Sequence, residues 1–178
     1  MAGNYVYILS ALPVLHFGHK APLSYEAFLS SCRTLVDEKE MILLEQLLSW
    51  DRVSPIEGSP ELLEPWRLFE VGLRNELATL RSARLQKDAA PYIRPEGLWD
   101  PQMIHAAANA LRQPILDAAR MLDEERWKKM EELSLGHYFD MDVLLFYALK
   151  LLILIRWDKV RSADKERVLE EVLPVPSA

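Results

Sequence analysis

The fold class is decided by the stretch Val143-Leu-Leu-Phe-Tyr-Ala-Leu-Lys-Leu-Leu-Ile-Leu-Ile155, in which Lys150 is the one charged residue. A helix of this length covers about 20 Å, which is short of a hydrocarbon core of roughly 30 Å. Apolar residues on nearly every side of a helix indicate burial by neighbouring helices. The stretch therefore predicts a central core helix and not a membrane anchor, with Leu149 as a structural residue at its middle.

This core helix has a clear start signal on its N-terminal side. Asp140 is the predicted N-cap, and Asp142 is a first-turn acid that the helix dipole favours. General acid–base catalysis would need two carboxyl groups that converge across a cleft. We therefore assign both aspartates a structural role. A charged continuation extends the helix to about residue 172, ahead of Pro174.

Similar start and stop signals divide the rest of the chain into helices. Starts are predicted at Ser24, at Asp37 with Glu40 as a capping box, at Pro65 and at Asp100-Pro101, with stops at Pro114 and Gly136. Asp123 is a second candidate cap within the helix of residues 115–135. The apolar residues 5–12 fit either a short strand or a first helical turn. Since no set of paired strands is visible, the predicted class is all-α.

The predicted architecture is an irregular helical bundle formed by residues 1–178 as one domain. It can be divided into sub-lobes 1–86 and 100–173, joined by the Pro-rich linker 87–99. Each sub-lobe would end in a long helix, and the two helices share a degenerate spacing. An acid (Glu70 or Asp142) is followed fourteen residues later by an arginine, Arg84 or Arg156.

Composition narrows the possible partners and the location. The net charge of −6 argues against nucleic acid, whose binding requires clustered Lys and Arg. The N-terminal residues have no basic n-region and do not have the architecture of a signal peptide. We expect a cytoplasmic protein, or one held at the inner membrane through a protein complex, without insertion into the membrane.

The sequence contains no motif that predicts catalysis, a cofactor or a small-molecule substrate. Cys32 is the one cysteine, and its apolar-periodic neighbours favour a buried hydrophobic role. His16 and His19 form an H-x-x-H pair, but zinc requires three or four ligands at fixed spacing. We therefore expect neither an enzyme nor a metal site. Trp127 and Trp157 are expected to be structural residues.

A stripe of arginines is the main candidate for partner binding. Arg67, Arg74 and Arg81 recur every seven residues, so they share one helix face, and Arg84 follows one turn later. Such a stripe fits a solvated helix face. It also fits arginines that meet carboxylates of a partner or of the neighbouring lobe, because the guanidinium group suits bidentate carboxylate pairing.

Several segments together resemble a small family of bacterial helical proteins encoded beside V-type ATPase genes, which is itself similar to the C-type subunit of the central stalk of that enzyme. The matching segments are Tyr5-Val-Tyr-Ile-Leu-Ser-Ala-Leu-Pro, Leu73-Arg-Asn-Glu-Leu-Ala-Thr-Leu-Arg-Ser-Ala-Arg-Leu, Pro91-Tyr-Ile-Arg, Leu122-Asp-Glu-Glu-Arg-Trp, Gly136-His-Tyr-Phe-Asp-Met-Asp and Tyr147-Ala-Leu-Lys-Leu. The resemblance implies a non-catalytic adaptor of the rotor or central stalk that contacts other ATPase subunits. The C-type subunit is much longer, so a complete copy of its shape is not expected. The alternative is a free-standing cytoplasmic protein-interaction module with no link to the ATPase.

Overall fold

A computed structural model describes the backbone of residues 3–172 and the side chains of residues 5–164. The described chain is all-helical and contains no strand, which confirms the predicted class. Its elements are α1 (Gly3–Ala11), α2 (Tyr25–Cys32), α3 (Glu38–Gln46), α4 (Leu63–Arg84), a 3-10 turn (Ala90–Tyr92), α5 (Pro101–Ala110), α6 (Ile115–Leu133) and α7 (Met141–Val172).

The helix starts are formed by the side chains that the sequence suggests. Ser24 Oγ accepts the Ala27 amide, and Asp37 and Glu40 form a reciprocal capping box. Asp100 accepts the Gln102 amide, and Asp140 accepts the Val143 amide at 3.0 Å. These caps join residues two or three positions apart, so the local sequence is enough to specify them.

Three boundaries differ in detail from those predicted from the sequence. Residues 5–12 lie in or next to helix α1, which settles the choice between strand and helix. Helix α4 begins at Leu63, so Pro65 lies within the first turn, where its missing N–H has no helical partner to lose. Asp123 does not start a new helix, because α6 continues through it without interruption.

The main core is built around α7, which contacts α1, α2 and α3. Its buried side chains include Ile8, Phe28, Leu44, Trp66, Leu145 and Leu149. Leu149 is only 3% exposed, as a central position in the core helix requires. Phe28 stacks on Tyr147 with ring centroids 5.6 Å apart, and the Tyr147 hydroxyl donates to the Pro13 carbonyl at 2.9 Å.

A second core lies between α4, α5 and α6. It consists of the buried residues Phe69, Leu73, Leu77, Met103, Ala107, Ala110 and Leu122. Each core contains residues from both of the sub-lobes proposed from the sequence, 1–86 and 100–173. Most of α4 packs with α5 and α6, whereas α7 packs with the N-terminal helices.

The linker 87–99 has mostly exposed side chains, but the backbone of its second half is bound to α4. The Leu98 amide donates to the Leu68 carbonyl at 3.0 Å, and the Asn75 side chain exchanges two hydrogen bonds with the Arg94 backbone. Gly72 allows this close approach, because a Cβ there would overlap the Leu98 carbonyl oxygen. The linker is thus fixed to the second core by α4.

No helix within the described residues is both long and apolar enough to span a membrane. The apolar run that resembles a membrane span, residues 143–155, supplies many of the buried side chains of the main core instead.

Candidate functional site

Arg67, the first member of the predicted stripe, is buried. Its side chain is 8% exposed, and its guanidinium pairs with Glu64 at 2.7 Å and donates to the Val53 carbonyl at 2.7 Å. Glu96 from the linker lies 3.7 Å away. Since its donors are engaged inside the fold, Arg67 holds the loop before α4 and presents little surface to a partner.

Arg74, seven residues after Arg67, is partly exposed and partly engaged by the fold. Its side chain is 46% exposed, yet Nη2 donates to the Asp51 carbonyl at 2.5 Å and Nε lies 3.8 Å from Glu70. Arg67 and Arg74 therefore bind the backbone carbonyls on either side of Arg52. The guanidinium groups of Arg67 and Arg74 thus bind the backbone of the loop before α4.

Arg81 and Arg84 are exposed and lie at the rim of a groove of about 570 Å³. We call it the arginine-rimmed groove; its lining residues are Arg81, Arg84, Leu85, Ala110, Leu111, Gln113, Ile115, Ala118, Ala119 and Leu122. Apart from the two arginines and one glutamine, this lining is apolar. Among the described residues neither arginine forms an ion pair with a carboxylate.

Large apolar side chains extend the groove onto the surface. Leu85 is 65% exposed, Ile115 is 87% exposed and Leu116 is 54% exposed, and the first two line the groove. An isolated exposed leucine needs no explanation, but contiguous apolar surface with a charged rim is typical of interaction sites. The Pro114 break creates this groove, since it places the start of α6 beside the end of α5 near the last turn of α4.

A buried ion network, formed by Glu70, Asp123, Arg126 and Arg156, was not predicted from the sequence. Glu70 and Asp123 are both fully buried. Arg126 pairs with both carboxylates, through Nε and Nη2 to Glu70 and through Nη1 to Asp123 at 3.0 Å. Arg156 also pairs with Asp123. The network joins α4, α6 and α7.

Both tryptophans assigned structural roles are anchored by hydrogen bonds. Trp157 Nε1 donates to Asp123 Oδ2 at 2.8 Å, so this indole belongs to the buried ion network. Trp127 is 5% exposed, and its Nε1 donates to Glu131 at 2.7 Å. The ammonium of Lys150 lies 5.1 Å from the Trp127 ring centroid, and burial lowers the pKa of that lysine.

His137, Asp140 and Asp142 place three groups of metal-ligand type within 4.8 Å of one another, the one such cluster found among the described residues. The simpler account is structural. His137 Nδ1 lies 2.7 Å from Asp140, whose other oxygen caps α7, while Asp142 accepts the Leu62 amide at 2.8 Å. The positive end of the α7 dipole also opposes a cation there.

Two further features of the sequence were considered for metal binding or catalysis, the His16–His19 pair and Cys32. The structure places neither in an arrangement that supports such a role. His16 and His19 have ring centroids 5.5 Å apart and belong to no ligand cluster of three within the described part of the chain. Cys32 is fully buried, and burial raises the pKa of its thiol to about 11. A thiol of this kind is largely protonated at neutral pH and is a poor nucleophile.

Comparison with known proteins gives one partial match. The family model described as "Protein of unknown function (DUF2764)" matches residues 101–174, so the chain is similar to that family over α5, α6 and α7. No curated protein and no solved structure matches the chain. The matched region contains the apolar lining of the arginine-rimmed groove from Ala110 to Leu122, whereas Arg81 and Arg84 lie before it.

Proposed function

We propose that this chain is a non-catalytic adaptor of a V-type ATPase, which docks a helix of a stalk or rotor subunit in the arginine-rimmed groove. The observation that carries the docking proposal is the position of Arg81 and Arg84, two exposed guanidinium groups at the rim of an otherwise apolar groove. The choice of enzyme complex rests on the resemblance to the family encoded beside V-type ATPase genes.

The groove has the chemistry to select an acidic amphipathic helix. Its apolar lining would take the side chains at every third or fourth position of such a helix, as in other helix-in-groove complexes. Arg81 and Arg84 would pair with carboxylates along the edge of that helix, because the guanidinium fork matches a carboxylate in two hydrogen bonds. Charged rims of this type govern association rate and partner choice more than total affinity.

The test is co-purification from the native host with a tagged wild-type chain and a double variant, Arg81→Glu with Arg84→Glu. We expect the wild type to recover stalk or rotor subunits, and the double variant to recover several-fold less. The deficit should shrink as salt rises, because both the attraction in the wild type and the repulsion in the variant are screened.

A matched control is available in Arg33→Glu with Lys39→Glu, which changes the charge by the same amount at two exposed positions outside the groove. This control should co-purify like the wild type.

The thermal unfolding of all three proteins is also measured, to separate lost binding from lost stability. Arg81 and Arg84 lie at the C-terminal end of α4, where a basic residue stabilises the helix by about 0.3–1 kcal/mol. A wild-type chain that recovers no stalk or rotor subunit from cells containing the enzyme would refute the ATPase assignment. If the Arg81→Glu, Arg84→Glu variant recovered as much of these subunits as the wild type, the groove would not be their docking site.

A further inference from the structure

A small pocket lies between α6, α7 and the loop that joins α1 to α2. Its volume is about 190 Å³, and its apolar lining consists of Phe17, Leu116, Trp157 and Val160. Leu116 directly follows Ile115, which lines the arginine-rimmed groove. Consecutive Cα atoms are about 3.8 Å apart, so both cavities border the first turn of α6. We call this second cavity the α6–α7 pocket.

The helical turn that the two cavities share exposes apolar surface. Ile115 and Leu116 are 87% and 54% exposed, and Leu85 in the lining of the groove is 65% exposed. Contiguous apolar surface that is bordered by charged side chains is typical of interaction sites. A partner helix that continues from the groove over this turn buries Ile115 and Leu116 and reaches the α6–α7 pocket.

The size and the lining of the α6–α7 pocket suit one side chain of a protein partner. Small-molecule sites usually have volumes of about 300–1,000 Å³, and this pocket is smaller. Phe17 and Trp157 offer aromatic contacts, which favour a large apolar or aromatic group. In protein interfaces, side chains of this kind that enter a well-formed pocket commonly account for much of the binding energy.

One of the two arginines that line the α6–α7 pocket has donors left for a partner. Arg161 is engaged inside the fold, where Nη2 donates to the Asp158 carboxylate at 2.6 Å. Asp164, the one carboxylate in the lining, has an interaction of its own. Arg120 is exposed, with Nη2 next to Gly18, and it forms no hydrogen bond or ion pair within the part of the chain that the structure describes. A carboxylate of the partner can therefore pair with Arg120 without displacing a contact of the fold.

We propose that the acidic helix received by the arginine-rimmed groove continues over the first turn of α6 and inserts one large apolar side chain into the α6–α7 pocket. A carboxylate next to that side chain pairs with Arg120. The inference rests on the proposed function and extends it, because it adds a second contact site for the same partner. Arg81 and Arg84 then bind carboxylates on one side of the turn, and Arg120 binds one on the other side.

The test is co-purification of the full chain from the native host, with Arg120→Glu and Val160→Phe as separate variants. Arg120→Glu reverses the charge, and Val160→Phe fills the pocket without a change of charge. We expect each variant to recover several-fold less of the stalk or rotor subunits than the wild type. High salt should reduce the deficit of Arg120→Glu, because charge interactions are screened. It should leave the deficit of Val160→Phe in place, since a filled pocket excludes the side chain at any ionic strength.

Matched controls are Arg33→Glu and Val14→Phe, which make the same substitutions at exposed positions outside both cavities. Both controls should recover the subunits like the wild type. Thermal unfolding of every variant shows whether it is folded at the temperature of purification. Arg120→Glu changes an exposed side chain and keeps the test decisive if the larger side chain at Val160 prevents folding.

The pattern of recovery separates this inference from the proposed function. If a folded Arg120→Glu or Val160→Phe variant recovered as much as the wild type while the Arg81→Glu, Arg84→Glu variant did not, the partner would be held by the groove alone and this inference would be wrong. A deficit in the pocket variants with full recovery by the groove variant would also overturn it, because the two cavities would not form one site. A wild-type chain that recovers no stalk or rotor subunit would refute the proposed function and this inference together.

Discussion

At the scale of single residues, Arg67 and Arg74 show how a shared helix face can hold different environments. The two positions are seven residues apart, so they point in nearly the same direction. Arg67 is buried because the Val53 backbone and the linker cover it, whereas Arg74 lies at the edge of that cover. Helical spacing predicts the direction in which a side chain points, but not which other segments pack on that face. The burial of Arg67 could therefore not be predicted from the spacing of the arginines.

His137 provides a residue-scale prediction about pH. Its hydrogen bond to Asp140 raises the pKa of the imidazole, with further contributions from the charges of Asp140, Asp142 and Glu61. Since the pKa is higher in the folded state, the contribution of this pair is fully present below the unfolded value of about 6.5 and is lost as pH rises through the folded value. We expect the Tm of the wild type to fall between pH 6 and pH 9 by more than that of His137→Gln.

The control for this prediction is His105→Gln, because His105 is an exposed histidine on another helix. This variant should keep the wild-type slope of Tm against pH. An identical slope in His137→Gln and wild type would show that the pair with Asp140 contributes nothing to stability. Asp142 also has a raised pKa, chiefly through burial, but its effect falls at acid pH outside this window.

At the scale of elements, features that depend on residues close together in the sequence were predicted correctly, whereas features that depend on distant residues were not. The caps at Ser24, Asp37 and Asp100 depend on neighbours two or three positions away, and all three form. Residues 5–12 were ambiguous because a short apolar run fits either a strand or a helix, and the helix is chosen by packing against α7. The long-range network of Glu70 and Asp123 left no local signal at all.

Gly72 provides an element-scale prediction about how the linker meets α4. Alanine is the better helix former by about 1 kcal/mol, so Gly72→Ala would stabilise an isolated helix. Here the added methyl would overlap the Leu98 carbonyl oxygen and lie 3.1 Å from Met103 Cε. We expect a net loss of about 1–3 kcal/mol in the free energy of unfolding, measured by urea denaturation, because overpacking forces the backbone of the linker to move.

Thr79→Ala is the control, since Thr79 is exposed on the same helix and donates only to the Asn75 carbonyl. It should be neutral or slightly stabilising. If Gly72→Ala matched Thr79→Ala, the linker would not be held tightly against α4.

At the scale of the whole molecule, the buried ion network is one link between the two cores, beside the apolar side chains that α4 and α6 place in both. Glu70 follows Phe69 of the second core, Asp123 follows Leu122 of that core, and Trp157 packs against the main core.

The last prediction concerns Asp123, whose carboxylate receives Arg126, Arg156 and the Trp157 indole. Asp123→Asn keeps the size of the side chain but removes the charge, so Arg156 loses its buried partner and Arg126 keeps Glu70 alone. Removing one member of a buried ion pair costs about 3–5 kcal/mol, because the uncompensated charge stays desolvated. We expect a loss towards the lower end of that range in the free energy of unfolding, measured by urea denaturation, because Arg126 keeps Glu70 and the Arg156 side chain is 45% exposed. Glu124→Gln, at a half-exposed position on the same helix, should change it by less than about 0.5 kcal/mol. If the two variants were equally stable, α4, α6 and α7 would be held together by apolar packing alone, and the buried charges would not stabilise the joint.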